Sequence, residues 1–400
     1  MRLIIVGNGV AGITVAEQVR RLDGKAKIEI YTDENYGYYS RVWLPELISG
    51  GKTVEKIIMH DAKWYESKKI GYHQGTKVAA INPKEKTITV DKSKTEKYDK
   101  LCICTGATCN VPPFKNTIVE GVFTLRTIDD ALAIKAYIKD KKRAVCIGGG
   151  LLGLEAARNI KKTGLETTVV EVFPRLLPKQ LCNTSAGILK DKITHLGIDT
   201  VLGATVEEII GTDHVTGVKL AGGRVLDADF VLISAGIKPR LELMQAAGLK
   251  VNKGLIVNDY MQTSDENIFA AGDIIEFNNR GWGIIPAALD QAAVTAKKIA
   301  GIQGEPYAPT TPSNKLKIMD FDVMSVGTMI LDDADQNCKV FISKDEMKGI
   351  YKKFVLREGK LIGSILLESK PDEQFVSQNI NKPVSDDEVQ SHLKIVKKES

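Results

Sequence analysis

Two glycine-rich turns constrain this chain more than any other feature. The stretch RLIIVGNGVAGITVAEQV, residues 2–19, spaces Gly7, Gly9 and Gly12 as G-x-G-x-x-G. The stretch RAVCIGGGLLGLEAARNI, residues 143–160, repeats that spacing with Gly148, Gly150 and Gly153. Each turn follows a short apolar run that reads as a buried parallel strand and opens a segment of helical periodicity. In such a turn the first glycine permits the tight bend. The second lets backbone approach a pyrophosphate, and the third lets helix and strand pack closely. The diphosphate then rests on the positive end of the helix. Glycines 7 and 148 stand 141 residues apart, so a domain-sized unit is duplicated, not a short repeat.

The order of elements supports that reading. RLIIV at 2–6 is a strand, apolar positions Ile13, Val15, Ala16, Val19 and Leu22 mark a helix, and KIEIY at 27–31 is the next strand. Residues 77–90 read as a strand pair joined at Asn82-Pro83, and YDKLCIC leads into Thr105-Gly106-Ala107. The pattern then restarts with AVCI at 144–147, a helix through Leu151, Leu152, Leu154, Ala156, Ala157 and Ile160, and TTVV at 167–170. Each copy is followed by an acid. Glu34, beside Asp33, lies 22 residues past Gly12, and Glu171 lies 18 past Gly153. A carboxylate there accepts hydrogen bonds from adenosine ribose hydroxyls and repels a 2′-phosphate, so the second cradle favours NADH over NADPH. Arg175, four residues beyond Glu171, is the group that can hold a 2′-phosphate. Beyond Gly301, Pro306, Pro309 and Pro312 punctuate a linker. Short strands follow over 315–367, with Glu358-Gly359 as a hairpin turn. Residues 370–400 are polar, and Ser385 before Asp386, Asp387 and Glu388 reads either as a short helix start or as part of a flexible tail.

At 400 residues, two or three domains are expected. The six cysteines, 102, 104, 109, 146, 182 and 338, form no C-x-x-C and no metal-ligand spacing. Cys102 and Cys104 read as buried apolar residues on one strand face. The apolar N-terminus is broken by Gly7, Asn8, Gly9 and Gly12 and reads as a strand and turn, not a secretion signal, so a reducing cytoplasm is expected. No apolar run is long enough for a membrane span. The net charge of +5, without a basic stripe interleaved with aromatics, does not suggest nucleic acid, and none is expected as partner.

Two further stretches carry a resemblance. CTGATCNVPP, residues 104–113, and TSDENIFAAGD, residues 263–273, together with both glycine turns, resemble the pyridine nucleotide-disulfide oxidoreductase superfamily over residues 1 to about 305. The resemblance implies an α/β fold with two Rossmann-like domains and a small α+β C-terminal domain. A discontinuous FAD domain would span 1–110 and 237–307, an inserted NAD domain 111–236, a C-terminal domain 308–369, and a polar tail 370–400. FAD would be held by Gly7, Asn8, Gly9, Val10, Ala11, Gly12, Asp33, Glu34, Arg41, Val78, Thr105, Gly106, Ala107, Gly272 and Asp273. Backbone donors near Ala287 and Ala288, in WGIIPAALDQAAVTAKKIAG, would face the flavin pyrimidine ring, and Lys317 would contact the flavin. NADH would be held by Gly148, Gly150, Leu151, Leu152, Gly153, Glu171, Arg175 and Gly236. Glu155 resembles a family glutamate near the nicotinamide and flavin.

Within that superfamily, thiol branches carry redox cysteines that this chain lacks. No cysteine precedes Cys102, and the YGYYSR neighbourhood offers Ser40-Arg41. YYSRVWLPELISG, residues 38–50, and VEVFPRLLPKQL, residues 170–181, resemble NADH:rubredoxin oxidoreductases and the flavin module of NADH-dependent nitrite reductases, with a departure at Glu46, where related proteins often have lysine. The implied function is an FAD enzyme that takes hydride from NADH and passes electrons from the flavin directly to a small carrier, rubredoxin or ferredoxin-like. The rivals are a cysteine-free NADH oxidase and an electron-input or docking subunit of a larger reductase. The oligomeric state is left open by the sequence.

Overall fold

A sheet that begins at the N-terminus is completed only after the chain has built a second one. A computed structural model describes residues 1–91, 93–318, 320–329 and 337–395, with the side chains of 316–318 outside that description. Two units form, one from residues 1–43, 52–109 and 237–310, the other from 44–51, 110–236 and 311–400.

In the first unit a five-stranded parallel sheet runs in the order Ile268–Ala270, Lys100–Ile103, Arg2–Val6, Lys27–Tyr31, Ile70–His73. Alternation sorts its side chains: Leu3 and Ile5 face one core with Ile13, Val19, Ala292 and Ala296. Ile4 and Val6 face another with Ile88, Val90 and Leu101. The helices Val10–Leu22 and Ile285–Ile299 pack together on the first of these faces. A meander of Val78–Asn82, Thr87–Val90 and Lys94–Lys97 lies in this unit too. The chain leaves along Ala107–Cys109 and returns along Ile237–Pro239, which pair antiparallel. The late strand Ile268–Ala270 then joins Lys100–Ile103 in register Ile268↔Leu101.

The second unit repeats the plan. Its parallel sheet runs Val122–Thr124, Phe230–Ile233, Arg143–Ile147, Glu166–Glu171, Ile198–Leu202. The helix Leu151–Lys161 follows the glycine turn, and a meander covers Val206–Gly211, Val215–Leu220 and Val225–Asp227. The short helix Leu44–Ser49 belongs here and not with the rest of residues 1–110, as Ser49 Oγ donates to Asn159 Oδ1 at 2.7 Å. The fold class is therefore α/β with two Rossmann-like sheets and an added α+β portion.

That portion is an antiparallel sheet in the order Ser313–Ile318, Phe321–Gly327, Lys360–Leu367, Ile350–Arg357, Cys338–Asp345. Glu358 and Gly359, with φ of 50° and 71°, form the expected two-residue hairpin. The expected polar tail is corrected from 370 to 393. Lys370–Asn379 and Asp386–Leu393 are helices, the second opened by a capping box between Ser385 and Glu388. Three sparse valines, Val376, Val384 and Val389, bury against Phe354 and Leu366. A buried ion pair joins sheet to helix. Lys352 Nζ lies 2.7 Å from Asp372 Oδ2, whose other oxygen meets His392 Nδ1 at 2.7 Å.

Burial raises the Asp372 carboxyl, but the bonds from Lys352, Ser369 and His392 hold it below the usual aspartate value. A depressed folded-state pKa stabilises fully above the unfolded value of about 3.9 and is lost as pH falls through the folded value. Lys352→Met leaves that carboxylate buried without its lysine counter-charge, held only by Ser369 and His392. Urea unfolding at neutral pH is expected to show a loss on the order of 3 kcal/mol, shrinking toward acid pH as Asp372 protonates.

Candidate functional site

The two glycine turns are built to one geometry. Gly7 has φ 109°, and a Cβ there would lie 2.2 Å from Cys104 O, while one at Gly12 would lie 2.1 Å from Gly7 O. Gly148 has φ 118°, and the same test gives 2.2 Å to Ser234 O, with 2.1 Å between a Cβ at Gly153 and Gly148 O. The middle glycines differ. At Gly9 and at Gly150 a Cβ would meet nothing within 4 Å. Both are N-cap residues without a side-chain cap, so the open space lies against unsatisfied helix N–H groups. Val10 and Ala11, and Leu151 and Leu152, form the first turns of those helices. The donor set and the room fit a diphosphate at each.

The acids depart from expectation. Gly7 N–H donates to Tyr31 O at 2.8 Å, and Gly148 N–H donates to Val170 O at 2.7 Å. Thr32 therefore holds in the first copy the position that Glu171 holds in the second. Glu171 is buried, and its two carboxylate oxygens accept from Gly149 N–H at 2.7 Å and Phe173 N–H at 2.9 Å. Glu34 instead accepts from Arg41 Nη2 at 2.7 Å and from the Tyr39 hydroxyl. Burial works against the Arg41 charge, but Tyr39, Glu34 and Asp273 outweigh it and hold the guanidinium charged. Asp33 is half-exposed and pairs with Arg240 at 3.4 Å. Arg175 donates to Leu181 O and Pro178 O, both at 3.1 Å, so much of its fork secures its own loop.

The remaining first-copy residues gather in the first unit. Thr105 Oγ1 is buried, and among the described residues it has no hydrogen-bond partner. Gly106 follows with φ 66°, and Ala107 begins the exit strand. Gly272 N–H donates to Gln291 Oε1 at 2.8 Å, with Asp273 next in the chain. At the helix Ile285–Ile299, Ala288 N–H is already bonded to Ile284 O at 3.2 Å, and Pro286 has no N–H. Ala287 is thus the open donor of the expected pair. Val78 is a core residue opposite Val90.

In the second unit, Glu155 is half-buried one turn into Leu151–Lys161, and Gly236, with φ 93°, has nothing within 4 Å of an added Cβ. The Lys317 side chain lies outside the described residues.

Gln291, Tyr65 and Tyr72 are site residues that were not anticipated. Gln291 is buried on the alanine face of its helix, a polar residue whose spacing from Ala287 and Ala288 was the available signal. Asn8 is clamped by tyrosines: Tyr65 OH donates to Asn8 Oδ1 at 3.0 Å, and Tyr65 stacks on Tyr72 at 4.1 Å. Cys102 and Cys104 are buried with sulfurs 3.6 Å apart, and their mutual bond and burial push the Cys102 thiol up. Among the described residues, no helix is long and apolar enough to cross a membrane.

The chain matches the family description pyridine nucleotide-disulphide oxidoreductase over residues 1–292, and rubredoxin NAD+ reductase C-terminal domain over 312–382. It is 34% identical over 366 residues to a nitrite reductase [NAD(P)H] of Bacillus subtilis, covering 91% of this chain and 45% of that protein. It is 30% identical to an NADH-rubredoxin oxidoreductase of Clostridium acetobutylicum, covering 92% and 93%. A ferredoxin reductase structure from Rhodopseudomonas palustris superposes with TM-score 0.88 at 27% identity, covering 96% of each chain. The chain spans about half the length of several curated relatives that it matches.

The glycine geometry separates binding from folding. Gly150→Ala places a methyl in open space, so stability should change by no more than about 1 kcal/mol, while affinity for a nicotinamide dinucleotide falls. Gly153→Ala forces the turn apart and should cost about 1–3 kcal/mol. Thermal unfolding and dinucleotide titration of both variants check this. A Gly150→Ala protein that binds as well as its parent would remove the second cradle from the site.

Proposed function

Because the chain belongs to the pyridine nucleotide-disulphide oxidoreductase family, we propose that it is an NADH-dependent FAD oxidoreductase. It delivers electrons, without a redox cysteine, to a small carrier protein of the rubredoxin or ferredoxin kind. The observation that carries this reading is the paired open cradle at Gly9 and Gly150, in a chain with no cysteine before Cys102. Bound FAD supplies the ability to accept two electrons from NADH and release them singly.

The chain's own residues do the holding and orienting. Gly9 with the open N-terminus of Val10–Leu22, and the buried Thr105 hydroxyl, bind the resident dinucleotide. Ala287 N–H, at the N-terminus of Ile285–Ile299, would be the donor for the flavin ring, where a helix N-terminus stabilises negative charge. Arg41, kept charged beside Glu34 and Asp273, supplies a cation in the same unit. Glu171, anchored by Gly149 and Phe173, presents its remaining lone pairs to ribose hydroxyls and opposes a 2′-phosphate. Glu155 orients the nicotinamide end. A reducing cytoplasm belongs to this reading as the compartment, in keeping with six cysteines that form no C-x-x-C spacing.

The deciding experiment is anaerobic NADH oxidation with rubredoxin, ferredoxin and flavodoxin, beside an aerobic assay. Fastest turnover with rubredoxin or ferredoxin supports the reading. Peroxide formation in air that outpaces every carrier makes the protein an oxidase, a reading that the 36% identity to an NADH oxidase favours. Bleaching by NADH without carrier turnover makes it an electron-input subunit.

The cofactor preference has its own test. Glu171→Ala should raise the Kd for NADH roughly tenfold and affect NADPH less. A parent protein that already prefers NADPH refutes the assignment.

A further inference from the structure

The C-terminal sheet turns a polar patch toward the helix Asn183–His195, and nothing in the electron-transfer reading uses it. Cys182 is the N-cap residue of that 13-residue helix and is half-buried. Its sulfur lies 3.3 Å from Ser185 Oγ and 3.3 Å from Tyr351 OH. Tyr351 and Lys353 stand two apart on the strand Ile350–Arg357, so they share a face. Lys353 is 8% exposed, and among the described residues its ammonium has no hydrogen-bond or carboxylate partner. Ser325 joins the same face through the register Ser325↔Ile365↔Lys353. Its hydroxyl is buried and, among the described residues, unpartnered. A buried cation without a carboxylate, beside a thiol at a helix N-terminus, is an arrangement suited to an anionic sulfur.

The titration behaviour agrees with the geometry. Burial pushes the Cys182 thiol up, but the Ser185 and Tyr351 hydrogen bonds and the Lys353 charge outweigh it and bring the thiol below its usual range. Burial and the contact with Cys182 push Tyr351 upward, so it stays a neutral donor. By contrast, burial drives the Cys146 thiol up to about 12.

We propose that Cys182 is a modification site, a thiol that hydroperoxides oxidise to the sulfenic acid. The thiolate attacks one peroxide oxygen, forming the S–O bond as the O–O bond breaks. The sulfur loses two electrons and the peroxide gains them. The departing hydroxide or alkoxide takes a proton from the Lys353 ammonium, which solvent then restores.

Cys109 and Cys338, also half-buried, are internal references in the same protein. The full chain is treated with iodoacetamide across a pH series and, separately, with hydrogen peroxide and dimedone, with adducts located by mass spectrometry. Cys182 is expected to alkylate roughly tenfold faster than either reference near neutral pH and to carry the main dimedone adduct. Lys353→Met and Tyr351→Phe should each slow it and move its pH midpoint upward. Alkylation at the rate of Cys338, with a midpoint at the ordinary thiol value of about 8.5, overturns the proposal. So does peroxide treatment that leaves no adduct on Cys182. The comparison within the unmodified protein decides the matter even where a variant fails to fold.

Discussion

Both dinucleotide folds depend on the close approach of the first glycine of the turn to a carbonyl on the neighbouring strand's exit. Val6 pairs with Ile103 and Ile147 with Ile233, so those strands end level with the strands beside them. Their next carbonyls, Cys104 O and Ser234 O, cross under Gly7 and Gly148, where a Cβ would sit 2.2 Å away. The positive φ of each glycine then swings its own carbonyl beneath the third glycine, and the helix settles onto it. Once both contacts are made, the middle glycine is the one left facing open space. The position of the anion-binding end of the helix is therefore a consequence of backbone packing, fixed before any ligand arrives.

The two copies part company in how they satisfy polar groups. In the second, the Glu171 carboxylate is bonded at both oxygens by the chain itself. A dinucleotide can come and go there without stranding a buried charge. In the first, Thr105 Oγ1 is buried and, among the described residues, unpartnered. An unmet buried hydroxyl costs about 1–3 kcal/mol, a cost that a permanently bound group removes. This contrast suits a resident dinucleotide in the first copy and an exchanging one in the second, which the shared glycine spacing by itself does not distinguish.

Much of this was legible in the sequence because glycine spacing, strand alternation and the returning segment at 263–273 are local patterns with strong backbone consequences. The strand–turn–helix units at both glycine turns followed from them, and so did the Glu358-Gly359 hairpin. What escaped is set by register and long-range pairing. Counting residues from Gly12 led to Glu34, whereas the strand register puts Thr32 at the Glu171 position and leaves Glu34 to Arg41. Counting apolar residues made 370–400 a polar tail with at most a short helix from Ser385, because three valines amid acids carry too little hydropathy to reveal a face. That face becomes visible once Phe354 and Leu366 are across from it. Gln291 was hidden for the opposite reason, a single polar residue inside an alanine-rich helix.

Period-two geometry also explains why adjacent lysines on one strand have different fates. Lys352 and Lys353 point to opposite faces of the strand Ile350–Arg357, and both are buried. On one face Lys352 meets Asp372 at 2.7 Å and donates to the carbonyls of His392 and Lys394, both at 2.9 Å, which ties the last helix to the sheet. On the other face no carboxylate among the described residues answers Lys353. Desolvating an ammonium without a counter-charge costs several kcal/mol, so that face favours whatever neighbouring group can become an anion. Glu373, next to Asp372 in the chain, pairs with Lys315. The Cys182 thiol, held by Ser185 and by Tyr351 of that same face, is such a group, and its ionisation offsets what the strand's alternation leaves unpaired.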